Sequence, residues 1–165
     1  MRIPQKGEMN PCPCGHLGSA LRACRCTPDA VARYQGRISG PLLDRIDVQV
    51  EVPAVAPEAL AAAPDGETSA VVAERVGRAR DRALRRQGCV NAALAGDALD
   101  EHAALDSAAS GFLLSAAARL GWSARGFHRV LRVARTIADL ADNPAITTAH
   151  LAEAIQYRRV LVRPS

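Results

Sequence analysis

Four of the five cysteines, Cys12, Cys14, Cys24 and Cys26, fall within fifteen residues as CPC, nine intervening residues and CRC. Cysteine thiolates are strong ligands for borderline and soft metal ions, and four around one ion make a closed tetrahedral site. The chain shows no secretory signal, so a reducing compartment is expected and disulfides are disfavoured. The spacing therefore points to a metal site, with zinc first and an iron–sulfur cluster or free thiols as the alternatives. Pro13 stiffens the first pair, Gly15 and Gly18 let the loop double back, and Arg22 and Arg25 offset thiolate charge. With no open ligand position and no neighbouring carboxylate base, the expected role is a structural clip. His16 is a spare ligand, although its place after Gly15 favours a solvated imidazole.

A second chemical signal lies in Gly36 to Val52, GRISGPLLDRIDVQVEV, where Arg45 sits between Asp44 and Asp47. Ile46, Val48, Val50 and Val52 alternate with Asp47, Gln49 and Glu51, which predicts a strand with one buried face and Arg45 at its lip. A salt-bridged surface arginine is the ordinary reading of such a string. The alternative is a guanidinium presented to a charged ligand, since its planar fork of donors matches phosphate oxygens.

The elements that must carry these groups are mostly helical. The 165 residues suffice for one domain or two small ones, and scarce aromatics leave a core of Ala, Leu, Val and Ile suited to closely packed helices. The net charge of +4 comes from arginine, with Lys6 as the single lysine; this balance fits phosphate-bearing ligands or nucleic acid, and equally a solvated helical surface. No apolar run approaches a membrane span, so a soluble, cytoplasmic protein is expected.

PDAVARYQ, Pro28 to Gln35, reads as a short helix with proline in its first turn and Thr27 as cap. The stretch from Pro53 to Glu67, rich in proline and alanine, reads as a linker. Ser69 to Gln87 predicts an amphipathic helix, with Val72, Val76, Ala79 and Ala83 on one face and Gly88 ending it. Arg75, Arg78, Arg82, Arg85 and Arg86 form a stripe beside that face, either a nucleic-acid contact or a solvated flank paired with Glu74 and Asp81. Cys89 stands apart from the other four as an isolated thiol.

Short and longer helices are expected around Leu99 to Leu105 and from Ser107 to Leu120, the latter stopped by Gly121. Ser123 to Ala141 gives the clearest pattern: Ser123 caps it, and Phe127, Val130, Leu131, Ala134, Ile137, Ala138 and Ala141 make one apolar face. Arg125, Arg129 and Arg132 lie on the opposite face near its N-terminal end, where the helix dipole also favours an anion. Asp142-Asn143-Pro144 closes this helix, and HLAEAIQYRR, capped by Thr147 or Thr148, packs beside it.

MNPCPCG, GRISGPLLDRID and SARGFHRVLRVARTIADL, in that order, resemble the magnesium-chelatase-like AAA+ ATPases, and in particular the ComM/YifB subfamily. The resemblance runs from Met9 to about Arg159. It implies that Arg45 is an arginine finger reaching the nucleotide of the neighbouring subunit, a contact worth roughly 10³ to 10⁵ in rate where such fingers act. It implies that Asn10 orients the attacking water, that Arg125 is the second sensor arginine touching the γ-phosphate, and that a cysteine-rich insert follows MNP. The whole enzyme implied is a Mg²⁺-dependent, ring-forming ATPase, a homo-hexamer acting as a DNA helicase or branch-migration motor in natural transformation.

The chain departs from such an enzyme in having no GxxxxGK[ST] phosphate loop and no apolar strand ending in paired acidic residues for Mg²⁺. It is therefore expected to be the C-terminal part of an ATPase, inactive alone and completed by an N-terminal half or by neighbouring subunits. The fold expected is mainly α with a small α/β remnant: residues 1–8 a leader outside the family, 9–52 the end of the AAA+ core with its zinc insert and finger strand, 53–67 a linker, and 68–165 a helical lid. From another class, a zinc-containing helical nucleic-acid-binding module without ATPase role would use the same cysteines and arginine stripe. No porphyrin-like pocket is suggested.

Overall fold

The computed structural model describes residues 7–43, 45–62 and 66–158. Residues 1–6 of the expected leader, Asp44, residues 63–65 of the expected linker and Arg159 at the expected end of the last helix lie outside the described residues. The chain divides into two compact units: residues 1–43 with 51–64, and residues 44–50 with 65–165.

The first unit is a cysteine-bearing loop followed by helix α1 (Pro28–Gln35), a single turn α2 (Gly40–Leu43) and a short helix α3 (Pro57–Ala61). Pro28 occupies the first turn of α1, where its missing N–H costs nothing, and the Thr27 hydroxyl accepts from the Ala30 N–H at 3.3 Å. At the other end of α1, Gln35 Nε2 donates to the Pro11 carbonyl at 2.9 Å, tying the helix to the start of the cysteine loop. Cys12 is fully buried.

The second unit is a helical bundle: α4 (Ser69–Gln87), a 3₁₀ turn (Asn91–Ala93), α5 (Asp97–His102), α6 (Ser107–Leu120), α7 (Ala124–Leu140) and α8 (Thr148–Gln156). Helix α7 is its centre, packing on α4, α8 and the 3₁₀ turn. Leu113, Val130, Ala134, Ala138, Leu151 and Ala154 are buried among the small and branched side chains expected from the composition. Local signals start and stop its helices, Ser123, Thr147, Gly88 and Gly121 where expected and Thr68 and Asp106 in addition. Thr68, Asp106, Ser123 and Thr147 cap α4, α6, α7 and α8, while Gly88 and Gly121 adopt φ of 71° and 61° at the ends of α4 and α6. Helix α7 closes at Asp142 (φ 59°), with the Asn143 N–H reaching back to the Ala138 carbonyl at 2.8 Å.

Three expectations are corrected. The described residues contain no strand, so the α/β remnant is not formed, and Val48, Val50 and Val52 are 46%, 64% and 83% exposed instead of buried. The alternation at 46–52 is real, but a strand needs neighbours for its N–H and C=O groups, and among the described residues only the Gln49 N–H of this segment finds a backbone acceptor, the Tyr157 carbonyl at 2.7 Å. Helix α5 starts two residues before the expected Leu99 and ends at His102, because Gly96, at φ 54°, turns the chain into it. The apolar face of α4 is also rotated: Val76 is 52% exposed, whereas Arg82 and Arg86 point into the bundle.

Candidate metal centre and arginine sites

The Sγ atoms of Cys12, Cys14, Cys24 and Cys26 all lie within 4.8 Å of one another. Cys12 and Cys14 are 3.4 Å apart, and Cys24 is 3.7 Å from each of them. A disulfide would hold two sulfurs at about 2.05 Å, and all four are free thiols. Four ligands at about 2.3 Å from a tetrahedral ion would stand roughly 3.8 Å apart, close to the separations seen, so the donor set fits one small tetrahedral cation. The loop reaches this shape through Gly15 and Gly18, at φ of 79° and 77°, a conformation that glycine adopts without the strain a Cβ brings. The Gly15 N–H also closes a turn onto the Cys12 carbonyl at 3.0 Å.

Packing four thiols together splits their acidities. Hydrogen bonds from the backbone N–H groups of Arg25 and His16, then from the Cys12 thiol, bring Cys14 down to about 6. At Cys12, burial and the Cys14 thiol oppose ionisation, but the Leu17 and Cys14 N–H groups and the Cys24 thiol outweigh them and the shift is downward. At Cys26 one hydrogen bond involving the Cys14 backbone favours the thiolate, yet burial and the other three sulfurs push it up to about 12. Cys24 is raised as well: the Cys26 N–H favours its thiolate, and burial with the Cys14 and Cys12 sulfurs prevails. Several thiolates cannot share so small a space without a compensating positive charge, which a divalent ion supplies.

Asn10 belongs to the same unit and is exposed at the mouth of this loop. Its side-chain amide lies over the Gly15 backbone, so that a Cβ at Gly15 would meet the Asn10 Cγ and Oδ1 at 3.7 Å.

Arg45 and Arg125 both belong to the second unit. Arg45 is exposed, and its guanidinium has no hydrogen bond or ion pair among the described residues. Its expected partner Asp47 is engaged elsewhere, in an ion pair with Arg129 of α7, and the same Arg129 Nη1 donates to the Arg45 carbonyl at 2.9 Å. Arg158 Nη1 donates to the Ile46 carbonyl at 3.2 Å. Arg125 stands on the first turn of α7, exposed and likewise without a hydrogen bond or ion pair among the described residues.

The three arginines read as one anion-facing set are thus separated in role. Arg129 holds the 45–47 segment, and Arg132 donates to the Leu94 carbonyl at 3.0 Å, where burial lowers its pKa despite the attraction of Asp47.

The stripe on α4 is also divided. Arg75 makes a two-point pair with Glu67 at 2.8 and 2.9 Å, and Arg78 pairs with Glu74 at 2.5 Å, both in solvent. Arg82 donates to the Asp139 carbonyl at 2.6 Å and pairs with Asp142; Arg86 grips the Asp139 carboxylate. This buried node was missed from sequence. Asp139, on the apolar side of α7 and four residues after Arg135, was its visible trace.

The chain matches the family model described as "Magnesium chelatase, subunit ChlI C-terminal" over residues 66–158, and that described as "Magnesium chelatase, subunit ChlI" over residues 6–60. It is 41% identical over 160 residues to the uncharacterized protein YifB of Escherichia coli (strain K12), covering 96% of this chain and 31% of that protein. It is 41% identical over 161 residues to the competence protein ComM of Haemophilus influenzae, covering 97% of this chain and 31% of that one. An uncharacterized protein of Mycobacterium tuberculosis is 37% identical over 158 residues, covering 93% of this chain and 31% of its own length. The chain therefore spans about a third of the length of the curated relatives it matches, and the matched stretch is their C-terminal part. With its helical bundle inside the first family model and its cysteine loop and Arg45 segment inside the second, the chain belongs to the magnesium-chelatase-like AAA+ ATPase family, as a C-terminal part of the ComM/YifB kind.

Proposed function

We propose that this chain is the part of a ring-forming ATPase that presents an arginine to the nucleotide of a neighbouring subunit and carries the helical lid over its own. The observation that carries the reading is the state of Arg45: its backbone is held by Arg129 while its guanidinium is exposed, with no hydrogen bond or ion pair among the described residues. An arginine with a fixed base and an exposed head is arranged to meet a partner outside its own unit, and phosphoryl transfer rewards a guanidinium placed against its developing charge. Arg125, exposed at the positive end of α7, would contact the γ-phosphate. Asn10 would orient the attacking water.

ATP and Mg²⁺ would be held by the N-terminal part of the complete protein, since the phosphate loop is absent from these 165 residues. The four cysteines would hold one Zn²⁺ as a structural clip, fixing a loop too polar to pack alone. The complete protein would form a homo-hexamer in the cytoplasm. The name of the competence protein ComM supports a role in competence; the function proposed within it is DNA processing, as a helicase or branch-migration motor during transformation. Among the described residues no helix is long and apolar enough to cross a membrane.

The nucleic-acid module reading loses part of its basis, because Arg75, Arg78, Arg82 and Arg86 of the stripe are all paired within the unit. The test is ATP turnover by residues 1–165 joined to an N-terminal half bearing a phosphate loop. Arg45→Lys and Arg45→Ala should both cut kcat, by roughly 10³ or more for alanine. Turnover at the parent rate in both variants rejects the reading.

A further inference from the structure

We propose that Arg129 is a positioning residue for Arg45: it clamps the 45–49 strap onto α7, so that Arg45 travels with the helix that carries Arg125. This rests on the ring reading for its consequence but not for its geometry.

Four contacts fasten the strap. Arg129 Nη1 donates to the Arg45 carbonyl at 2.9 Å and pairs with the Asp47 carboxylate, gripping the backbone and a side chain two residues apart with one nitrogen. Arg158 Nη1 donates to the Ile46 carbonyl at 3.2 Å, and the Gln49 N–H donates to the Tyr157 carbonyl at 2.7 Å. One end of the strap is therefore held by the N-terminal half of α7 and the other by the residues that follow α8. The Arg129 side chain is only 20% exposed, and its Nε is buried without a hydrogen-bond partner among the described residues.

Arg125 precedes Arg129 by one helical turn, so the two residues are neighbours on the surface of α7, roughly 5–6 Å apart at Cβ. A shift of α7 on binding or losing a phosphate at Arg125 would pass to Arg129 within a rigid helix, and through the clamp to Arg45. Nucleotide state in one subunit would then set the placement of the arginine offered to the next. The coupling element is a named contact and not distance alone.

Two readouts test this. In the present chain, Arg129→Ala should speed exchange of the Gln49 amide, the strap N–H that the Tyr157 carbonyl holds, roughly tenfold or more as the strap loosens with the loss of a charged hydrogen bond, and leave the interior of α7 unchanged; Arg129→Lys, which keeps a donor and the charge, should recover part of the protection. In the complete ATPase, Arg129→Ala should lower kcat with the KM for ATP unchanged, and add little when combined with Arg45→Ala. Unchanged exchange in the strap overturns the proposal, as do effects of Arg129→Ala and Arg45→Ala that multiply in the double variant. Full turnover in Arg45→Ala alongside faster strap exchange in Arg129→Ala would instead reject the ring reading and leave the clamp standing.

Discussion

Arg86 reaches from α4 across 53 residues of sequence to the carboxylate of Asp139 on α7, with Nη1 to Oδ1 at 2.6 Å and Nη2 to Oδ2 at 3.0 Å. Around this two-point pair the Asn91 amide donates to Asp139 Oδ2 at 2.7 Å and Arg135 Nη2 to Oδ1 at 3.0 Å, so the carboxylate, 2% exposed, is fully engaged. Arg135 also donates to the Asn143 and Pro144 carbonyls, both at 2.7 Å, joining the node to the turn that ends α7. The node fixes α4 and the 3₁₀ turn on α7, and with them the direction in which α7 presents Arg125 and Arg129.

Asp139→Ala should therefore destabilise the chain by about 3–5 kcal/mol, because it leaves Arg86 and the buried Arg135 without their counter-charge. Urea unfolding measures this directly, as a lower midpoint with an unchanged slope. A loss under about 1 kcal/mol, the range of an exposed pair, would mean that the node contributes no more than a surface contact.

Acid should act through the same group. Burial alone would raise the pKa of Asp139, but hydrogen bonds from Arg86 and Asn91 and the charge of Arg135 outweigh it and hold the carboxyl below its usual value. The stability this gives is present above about pH 3.9, the unfolded value, and is lost as pH falls through the lower folded value. Acid unfolding of the parent should be steeper in that range than for Asp139→Asn, which has no charge to lose.

The thiol cluster predicts one metal ion per chain. Metal content of the purified protein should be near one equivalent, binding should release protons, and a strong chelator should loosen the loop from Cys12 to Cys26 while the α7 bundle stays folded. Cys14→Ser should lower metal content; a chain that stays metal-free on supplementation with zinc and is indifferent to chelator would exclude the clip. Gly15→Ala should weaken metal retention too, since at φ 79° a Cβ costs roughly 1–2 kcal/mol.

The helices were legible from sequence because their signals are local. Thr27, Ser123, Gly88 and Gly121 mark ends whatever the chain packs against, and the α7 stripe from Phe127 to Ala138 requires one buried face. The cysteine cluster was legible for the same reason: its four ligands lie close in sequence. The alternation at 46–52 misled because a strand depends on partners that sequence does not display, and here the segment is fastened by Arg129 and Arg158 instead. Nothing local distinguishes Arg82, Arg86 and Arg129 from solvent- or anion-facing arginines, because charge alone does not reveal a partner 53 to 84 residues away. Asp139, an acid on an apolar helix side, was the one readable hint of the buried node.

The central claim is that Arg45 acts across a subunit boundary, and turnover in mixed rings tests it most directly. Joined to an N-terminal half with a phosphate loop, the Arg45→Ala protein would be mixed in varying ratio with subunits disabled at that loop but retaining Arg45. If Arg45 serves its neighbour, two proteins inactive alone regain ATP turnover together, with a maximum at intermediate ratio. Arg45→Ala turning over normally by itself, or mixtures that stay inactive at every ratio although rings form, would contradict the account.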